Sequence, residues 1–559
     1  MTKQILKAIT VSTLSSSLLL GANVPSIGDI EKQIQTPKIK KEEVTLPQIQ
    51  AKEYKTPMSD SGKTILVKDF KITGNIHISS IELEKFFVEA KGQELTFNQL
   101  QDIVSAITKY YREKGYFVAR AYIPEQNILE NNNVLEIAII EGNYGEFHLK
   151  NDSLVKDSIV QGMLDDIKDK NIIATSTLER AMLIINDTPG AIVTGADVMP
   201  GSVVGTSDFA ISTEKSKAYD GYVVLDNTGS RYTGKNRVMA GLNLNSPLKI
   251  GDKLSLFGLV SNGADLKNGK ISYGAPLMSN GLKGELSYSQ TDYSLVEEYK
   301  NLEATGTSKN IEAKLSYPVI RSRAENLYAN VSLFSKDLKD EVKSTANITK
   351  KDVQSLKIGI DYDKSYLAFS KNSNSKASFY LTAGKLSFDD SAKELADKKG
   401  ADTNGNYSKM NLDLAHNMEL NPKLSWESKL ALQYALSNKN LDGSEDMSIG
   451  GSSGVKLYPD GELSSENGYL FGTELKYQLP QFNALNSSIG LFYDIGRVHM
   501  ANNTVGFESR ILQDIGIGYY ASYKDFFGQV QMAWKVGGEE VTSEPDRNSR
   551  VLFQAGMSF

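Results

Sequence analysis

The C-terminal stretch "SRVLFQAGMSF", Ser549–Phe559, alternates strictly. Val551, Phe553, Ala555, Met557 and Phe559 fall on one face of an extended strand, and Leu552, Gln554, Gly556 and Ser558 fall on the other. An apolar face that ends in an aromatic residue suits contact with lipid and with the aromatic girdle of a membrane β-barrel. A strand of a soluble β-sandwich carries the same period, so the rest of the chain has to decide between them.

Working back from this strand, sixteen alternating segments of about ten residues follow one another from residue 218, separated by turns or polar loops. They begin near Tyr219, Lys235, Asp252, Lys270, Leu282, Thr307, Asn326, Asp352, Ser375, Asn406, Lys423, Asn467, Asn486, Gly506, Asp525 and Ser549. An even number of such strands suits a closed outer-membrane barrel. Composition agrees: Gly 45, Tyr 27 and Phe 20 against Trp 2 is rich in turn and strand formers. No run of 18 or more apolar residues occurs after the first 22, which argues against membrane-spanning helices and leaves a barrel open. With Cys 0 there is no disulfide framework, thiolate metal site or cysteine nucleophile. A net charge of -6 argues against nucleic acid as the main partner.

The first part of the chain reads differently. Residues 1–22, "MTKQILKAITVSTLSSSLLLGA", place Lys3 and Lys7 before a diluted apolar stretch and small residues, which reads as a secretory signal, with a buried N-terminal helix as the alternative. Residues 23–63 are rich in Lys, Gln, Pro and Glu and read as a linker; Ser26 to Gln35 can form a short helix. From Thr64 the order becomes strand, helix, helix, strand, strand. "ILVKDFKITGN" puts Phe70 and Ile72 on one side of a strand. "SSIELEKFFVEAKG" reads as a first helix. "TFNQLQDIVSAITKYYREKG" opens on Thr96 and Gln99 at capping-box spacing, aligns Leu100, Ile103, Val104 and Ile107 on one face, and stops at Gly115. "YFVARAYIPEQ" and "NVLEIAIIEG" are the expected strands. The same unit recurs over residues 143–217, with helices in "SLVKDSIVQGMLDDI" and "STLERAMLIINDTPG".

These residues together resemble the outer-membrane transporters of two-partner secretion, the TpsB type, that is, the ShlB/FhaC/HecB-like haemolysin secretion/activation family. "KGYFVARAYIPEQ" with "VLEIAIIEG" resembles the end of the family's first POTRA domain, and "LERAMLIINDTPG" with "MPGSVVGTSDFAI" resembles the second. "LDNTGSRYTGKNRV", "LNSPLKIGDKL" and "SYPVIRSRAENLYANV" resemble its barrel segments. The expected fold is α+β periplasmic POTRA domains, 64–142 and 143–217, followed by a 16-stranded antiparallel transmembrane β-barrel, 218–559, in the outer membrane of a diderm bacterium. Phe559 is then the C-terminal barrel signal.

The resemblance also implies sites. "GGSSGVKLYPDGELSSENGY", Gly450 to Tyr469, is similar to the family's inward-folding loop, here 438–466. The family carries an Arg after Val at the loop tip, meeting an Asp on the barrel wall. Here Gly454 and Val455 precede Lys456, with Tyr458 beyond it, and the matching wall residue is Asp494 in "GLFYDIGRV". Lysine lacks the planar fork of arginine, so the anchor is weaker, or shifts to Arg497 or another donor, or Lys456 is a solvated loop residue. Tyr116, Val118, Arg120 and Tyr122 are the candidates for binding the client through β-augmentation, unless this stretch is only the domain's own core strand. "SIGDIEKQIQ" resembles the family's N-terminal plug helix, with a disordered tail as the alternative.

Nothing points to an enzyme. His77, His148, His416 and His499 are scattered without metal-ligand spacing, no nucleophile triad can be assembled, and "GGSSG" lacks the context of a phosphate loop, so no catalytic residue, metal or cofactor is expected. The expected function is recognition of a large partner exoprotein of the TpsA type, an adhesin or a haemolysin-like protein, through the POTRA domains and its export through the barrel. Outer-membrane lipid and, during biogenesis, the barrel-assembly machinery are the other expected partners. A BamA-like barrel-assembly insertase is the alternative, although such proteins carry more POTRA copies; a passive porin explains only half the chain.

Overall fold

The computed structural model describes residues 24–34, 36–37, 46–47, 49, 63–168, 172–436, 438–504 and 506–559. The signal expected at 1–22 and most of the linker expected at 23–63 lie outside the described residues. Within the linker, helix α1 spans Ile27–Glu31.

The first domain is built from β1 (Thr64–Val67), β2 (Asp69–Thr73), α2 (Ser80–Leu83), β3 (Gln93–Thr96), α3 (Phe97–Glu113), β4 (Arg120–Tyr122) and β5 (Val134–Ile140). Helix α3 starts where the sequence places it: the Thr96 hydroxyl accepts from the Gln99 N–H, and the Gln99 amide oxygen accepts from the Thr96 N–H. Its Leu100, Val104, Ile107 and Tyr111 face the core against Leu135, Ile137 and Ile139 of β5. The sheet order is β2-β5-β4, β2 parallel and β4 antiparallel to β5, so β2 and β4 are its edges. Three details differ from the sequence reading. The expected first helix is one short α turn followed by two 3-10 turns, Glu84–Phe86 and Val88–Ala90, because Phe87 leaves helical geometry at φ −138°. The β3 strand was not expected. The long strand expected at 116–126 is only three residues: Gly115 takes φ +94°, the Tyr116 N–H turns back onto the Tyr111 carbonyl, and residues 116–119 form a turn.

The second domain comprises β6 (Asn143–Asp152), α4 (Asp157–Asp165), α5 (Thr175–Asn186), β7 (Ala191–Pro200) and β8 (Thr206–Lys215), with sheet order β6-β8-β7. Apolar residues of both helices, among them Val160, Met163, Leu164, Leu178 and Met182, pack on Phe147, Phe209 and Ile211 of the sheet.

Sixteen antiparallel strands close into a barrel. They are β9 (Tyr219–Asp226), β10 (Arg237–Asn245), β11 (Lys253–Ser261), β12 (Leu266–Pro276), β13 (Lys283–Ser294), β14 (Ala304–Arg321), β15 (Glu325–Val342), β16 (Asn347–Ala368), β17 (Lys371–Phe388), β18 (Gly405–Asn421), β19 (Leu424–Ala435), β22 (Asn467–Gln478), β23 (Leu485–His499), β24 (Ile511–Tyr523), β25 (Phe526–Lys535) and β26 (Ser549–Ser558). All sixteen segments anticipated from sequence are present, and closure leaves no unpaired edge. Strands β14 to β17 run well past the expected ten residues, to 18–22. The terminal strand behaves as its pattern requires: Val551, Phe553 and Phe559 are exposed on the outside while Arg550 and Leu552 are buried within. Between β19 and β22 the chain folds inward, pinned by a two-strand ladder of β20 (Met447–Ser448) and β21 (Ser464–Ser465). Strand β9 leaves the second domain, so the β9 start and the turn at 322–324 mark the end of the barrel that faces the domains.

Candidate functional site: the inward loop, the lumenal helix and the first domain

The loop between β19 and β22 buries its own tip. Ile449, Val455, Leu457 and Tyr458 are fully buried and pack against Phe492, Val498, Leu512 and Ala533 of the barrel wall. The tip is a tight turn: the Val455 N–H donates to the Ile449 carbonyl, the Gly454 N–H to the Gly451 carbonyl, and the Tyr458 N–H to the Val455 carbonyl. This geometry turns Lys456 outward from the loop into the wall.

There the Lys456 Nζ lies 2.5 Å from Asp494 Oδ2 and 4.3 Å from the Phe492 ring centroid. The single ammonium therefore meets one carboxylate and one aromatic face, where an arginine fork would span two acceptors. Arg497, the other donor considered from sequence, does not substitute: it is exposed and its Nε donates to Ser509 Oγ at 3.0 Å. A second carboxylate that the sequence reading missed completes the anchor. Asp514 on β24 is the direct register partner of Asp494 on β23, and its Oδ2 accepts the Leu457 N–H at 2.6 Å. A signal for it existed, because the Asp-Ile-Gly of residues 494–496 is repeated at 514–516 on the next strand. Further ties are Arg550 Nη1 to the Tyr458 carbonyl at 2.8 Å and the Tyr458 hydroxyl to the Glu539 carbonyl at 2.9 Å. The fully buried Glu462 carboxylate accepts from Arg510 Nη2 at 2.6 Å and from the N–H groups of Thr542 and Ser543.

Helix α1 lies inside the barrel. Ile27 and Ile30 are buried among Val224, Met239, Leu259, Leu266 and Tyr293 of the wall. The Ile27 N–H donates to Asp340 Oδ1 at 2.8 Å, and the same oxygen accepts the Tyr293 hydroxyl. Arg237 holds the helix end, giving one nitrogen to the Gln33 carbonyl at 2.7 Å and pairing through Nε with Asp226 at 2.9 Å. Gly28 sits directly on the 443–445 turn: a Cβ there would stand 2.4 Å from the Ser444 nitrogen. That turn is itself fixed by ion pairs to the wall, Asp442 with Lys351 at 2.5 Å and Glu445 with Lys336 and Lys409 at 2.8 and 2.9 Å. The residue before the loop's buried tip and the residue under the lumenal helix thus belong to one continuous segment.

In the first domain the client-binding candidates separate. Arg120 and Tyr122 are exposed on the edge strand β4, flanking buried Ala121. Tyr116 instead packs near Tyr111 and His77, with ring centroids 6.0 and 5.9 Å apart, and Val118 packs against the second domain's core. Behind them Glu141 accepts the His77 N–H at 2.9 Å and the Tyr111 hydroxyl at 3.0 Å, with His77 Nδ1 at 2.7 Å. Burial, and next the Glu141 carboxylate, push the Tyr111 phenol well above its ordinary range.

Residues 205–518 match the family described as haemolysin secretion/activation protein ShlB/FhaC/HecB, and residues 65–142 match the POTRA domain of ShlB type. The chain is 27% identical over 527 residues to the heme/hemopexin transporter protein HuxB of Haemophilus influenzae, covering 92% of each. Its fold resembles that of CdiB from Escherichia coli, with TM-score 0.74 at 18% identity over 90% of this chain and 93% of that one. BamA from Haemophilus ducreyi lacking POTRA domains 1-3 is more distant, with TM-score 0.52 at 15% identity over 88% of this chain and 100% of that one.

Proposed function

Because the chain belongs to the haemolysin secretion/activation family of ShlB, FhaC and HecB, we propose how its parts divide the work of export. The protein is an outer-membrane transporter that secretes a partner exoprotein, with its POTRA domains in the periplasm. The finer reading is ours. The client is a large TpsA-type protein that arrives unfolded and adds an extended segment to the exposed edge at β4, where Arg120 and Tyr122 meet its side chains. The barrel seats in outer-membrane lipid through its outward apolar face, placed there by the barrel-assembly machinery. Helix α1 plugs the resting lumen, and Lys456 with Asp494 and Asp514 holds the inward loop. Export is driven by folding of the client outside, since no nucleotide-binding motif is present in the sequence. By likeness to HuxB, a haem- or hemopexin-binding exoprotein is the first client to look for.

The observation that carries this reading is the combination of a lumen filled by helix α1 and the inward loop with a domain whose edge strand β4 presents Arg120 and Tyr122 to the outside. The test compares proteins in the medium and on the cell surface between cells with the gene, without it, and with residues 64–142 deleted. One large protein is expected to vanish in both mutants while other barrels stay in place. A joint fall of many outer-membrane proteins would instead establish the insertase.

A further inference from the structure

Strand β16, 22 residues long, ends in a hairpin whose tip is bare. Ala368 pairs with Lys371, so Phe369 and Ser370 form a two-residue turn, with φ +50° and +61°. That geometry suits Asn-Gly, and a bulky aromatic at positive φ is an outlier. Phe369 is also 91% exposed, and Leu367 beside it 70%. Neither the turn nor a core gains from these two side chains. Strain and exposure at one place point to a partner outside the chain.

Position decides which partner. Strand β15 pairs with β16 only as far as Glu325 with Lys364, at the barrel end that faces the domains, so the tip projects past the neighbouring 322–324 turn. On the outer face of β16, Ile358 and Ile360 are exposed to lipid. Next on that face, Tyr362 gives its hydroxyl to Glu325 at 2.8 Å and Lys364 pairs with the same carboxylate at 3.1 Å. A charged pair on the outer face marks the edge of the hydrocarbon, and Phe369 lies five residues beyond it, about 16 Å along a strand. The tip therefore stands clear of the bilayer. Leu367 has the opposite parity, shared with Asp361 and Asp363 of the lumen wall. Asp361 accepts from Asn330 Nδ2 at 2.8 Å and from the Ser378 and Tyr380 hydroxyls, each at 2.6 Å. Asp363 accepts from Asn326 Nδ2 at 3.0 Å, and Asn326 accepts from Arg321, whose guanidinium clasps Asp187 of the second domain at 2.7 and 2.8 Å. Leu367 is thus on the lumen side of the rim, at the corner where the barrel meets the second domain.

From this we infer that Leu367 and Phe369 form an entry lip, an apolar contact that receives large apolar side chains of the unfolded client as it passes from the domains to the lumen. The inference rests on the export reading above. An unfolded chain carries apolar side chains that are not yet buried, and contact with another apolar surface is favourable for them. The lumen wall beside the lip offers Asp361, Asp363, Asn326 and Asn330, which are satisfied by one another and their neighbours and give such side chains nothing to pack on. The lip supplies that contact at the mouth, and the polar wall beyond it lets the chain move on.

The test uses the full-length protein in cells and follows the protein whose appearance in the medium depends on this gene. Phe369→Asn with Ser370→Gly installs the favoured turn residues, so this variant removes the aromatic tip without weakening the hairpin. It is expected to lower the secreted amount severalfold, with the exported protein held back in the periplasm, while barrel amount and heat-modifiability stay as in the parent. Leu367→Ser is expected to act in the same direction. A photo-crosslinking residue at position 367 or 369 should capture the exported protein, and one at position 364, on the outer face, should not. Capture of lipid alone from position 369 would make the tip a membrane anchor and overturn the lip, as would parent-level secretion by both variants. Removal of the gene separates the two readings: if it changes no exported protein, the export reading fails and the lip with it, and if it stops export while the turn variant exports at the parent level, only the lip is wrong.

Discussion

At the scale of single residues, the anchor of the inward loop is asymmetric. One ammonium, Lys456, stands against two buried carboxylates on neighbouring strands, Asp494 and Asp514. Removing the lysine leaves Asp494 without its cation beside a second carboxylate, whereas Asp494→Asn relieves that crowding and keeps a side-chain oxygen for the lysine to donate to. Breaking a buried pair by deleting one partner costs about 3–5 kcal/mol. Lys456→Met is thus expected to free the loop tip and depress export strongly, and Asp494→Asn to do so less; protease accessibility of the loop and the amount of secreted client measure both. Equal effects would mean that Asp514 takes no part. A second residue-scale prediction concerns Glu141, which satisfies the His77 backbone N–H and the Tyr111 hydroxyl. Glu141→Ala should destabilise the first domain by about 1–3 kcal/mol, seen as faster proteolysis of the periplasmic part with an unaltered barrel.

At the scale of elements, the plug helix and the inward loop share a seat. Gly28 rests on the 443–445 turn, which the Lys336, Lys351 and Lys409 pairs hold to the wall. Gly28→Val places side-chain atoms where the Ser444 backbone already lies. The helix is then expected to leave its seat, raising uptake of large antibiotics severalfold while barrel amount and heat-modifiability stay as in the parent. Antibiotic sensitivity set against immunoblots checks this. If uptake is unchanged, the lumen has room to shift the turn, and the seat is softer than its packing implies.

At the scale of the whole molecule, export through the lumen and insertion through the barrel seam make opposite demands. Strands β9 and β26 pair through five residue pairs, whereas β15 and β16 pair along eighteen. Gly221 and Phe559 exchange both backbone hydrogen bonds, so Tyr222 and Ser558 beside them form a close pair without ladder bonds, about 4.5 Å between Cα atoms. That spacing accepts a disulfide, and the native chain has no cysteine to interfere. With Tyr222→Cys and Ser558→Cys oxidised, secretion should continue at the parent rate. Loss of secretion that returns on reduction would place the route at the seam.

What was legible in the sequence follows from periodicity. The sixteen strands, the tandem order of the two domains and the α3 cap were all readable because local burial imposes a period of two or 3.6 wherever an element has one wet and one dry face. The 116–126 strand was misread because its apolar residues serve a turn and an interdomain contact, which carry no period of their own. Lys456 and Asp494 were reachable through likeness to a family, yet Asp514, Arg550 and Glu462 were not, although Asp514 repeats the Asp-Ile-Gly of its neighbour. Pairing across strands sets those partners, and residues far apart in the chain meet only when the barrel closes and the loop folds in. The sequence by itself determined that this chain makes a barrel preceded by two small α+β domains. Only the tertiary structure decided what fills the barrel, because a buried charge chooses its partner by position in space and not by distance along the chain.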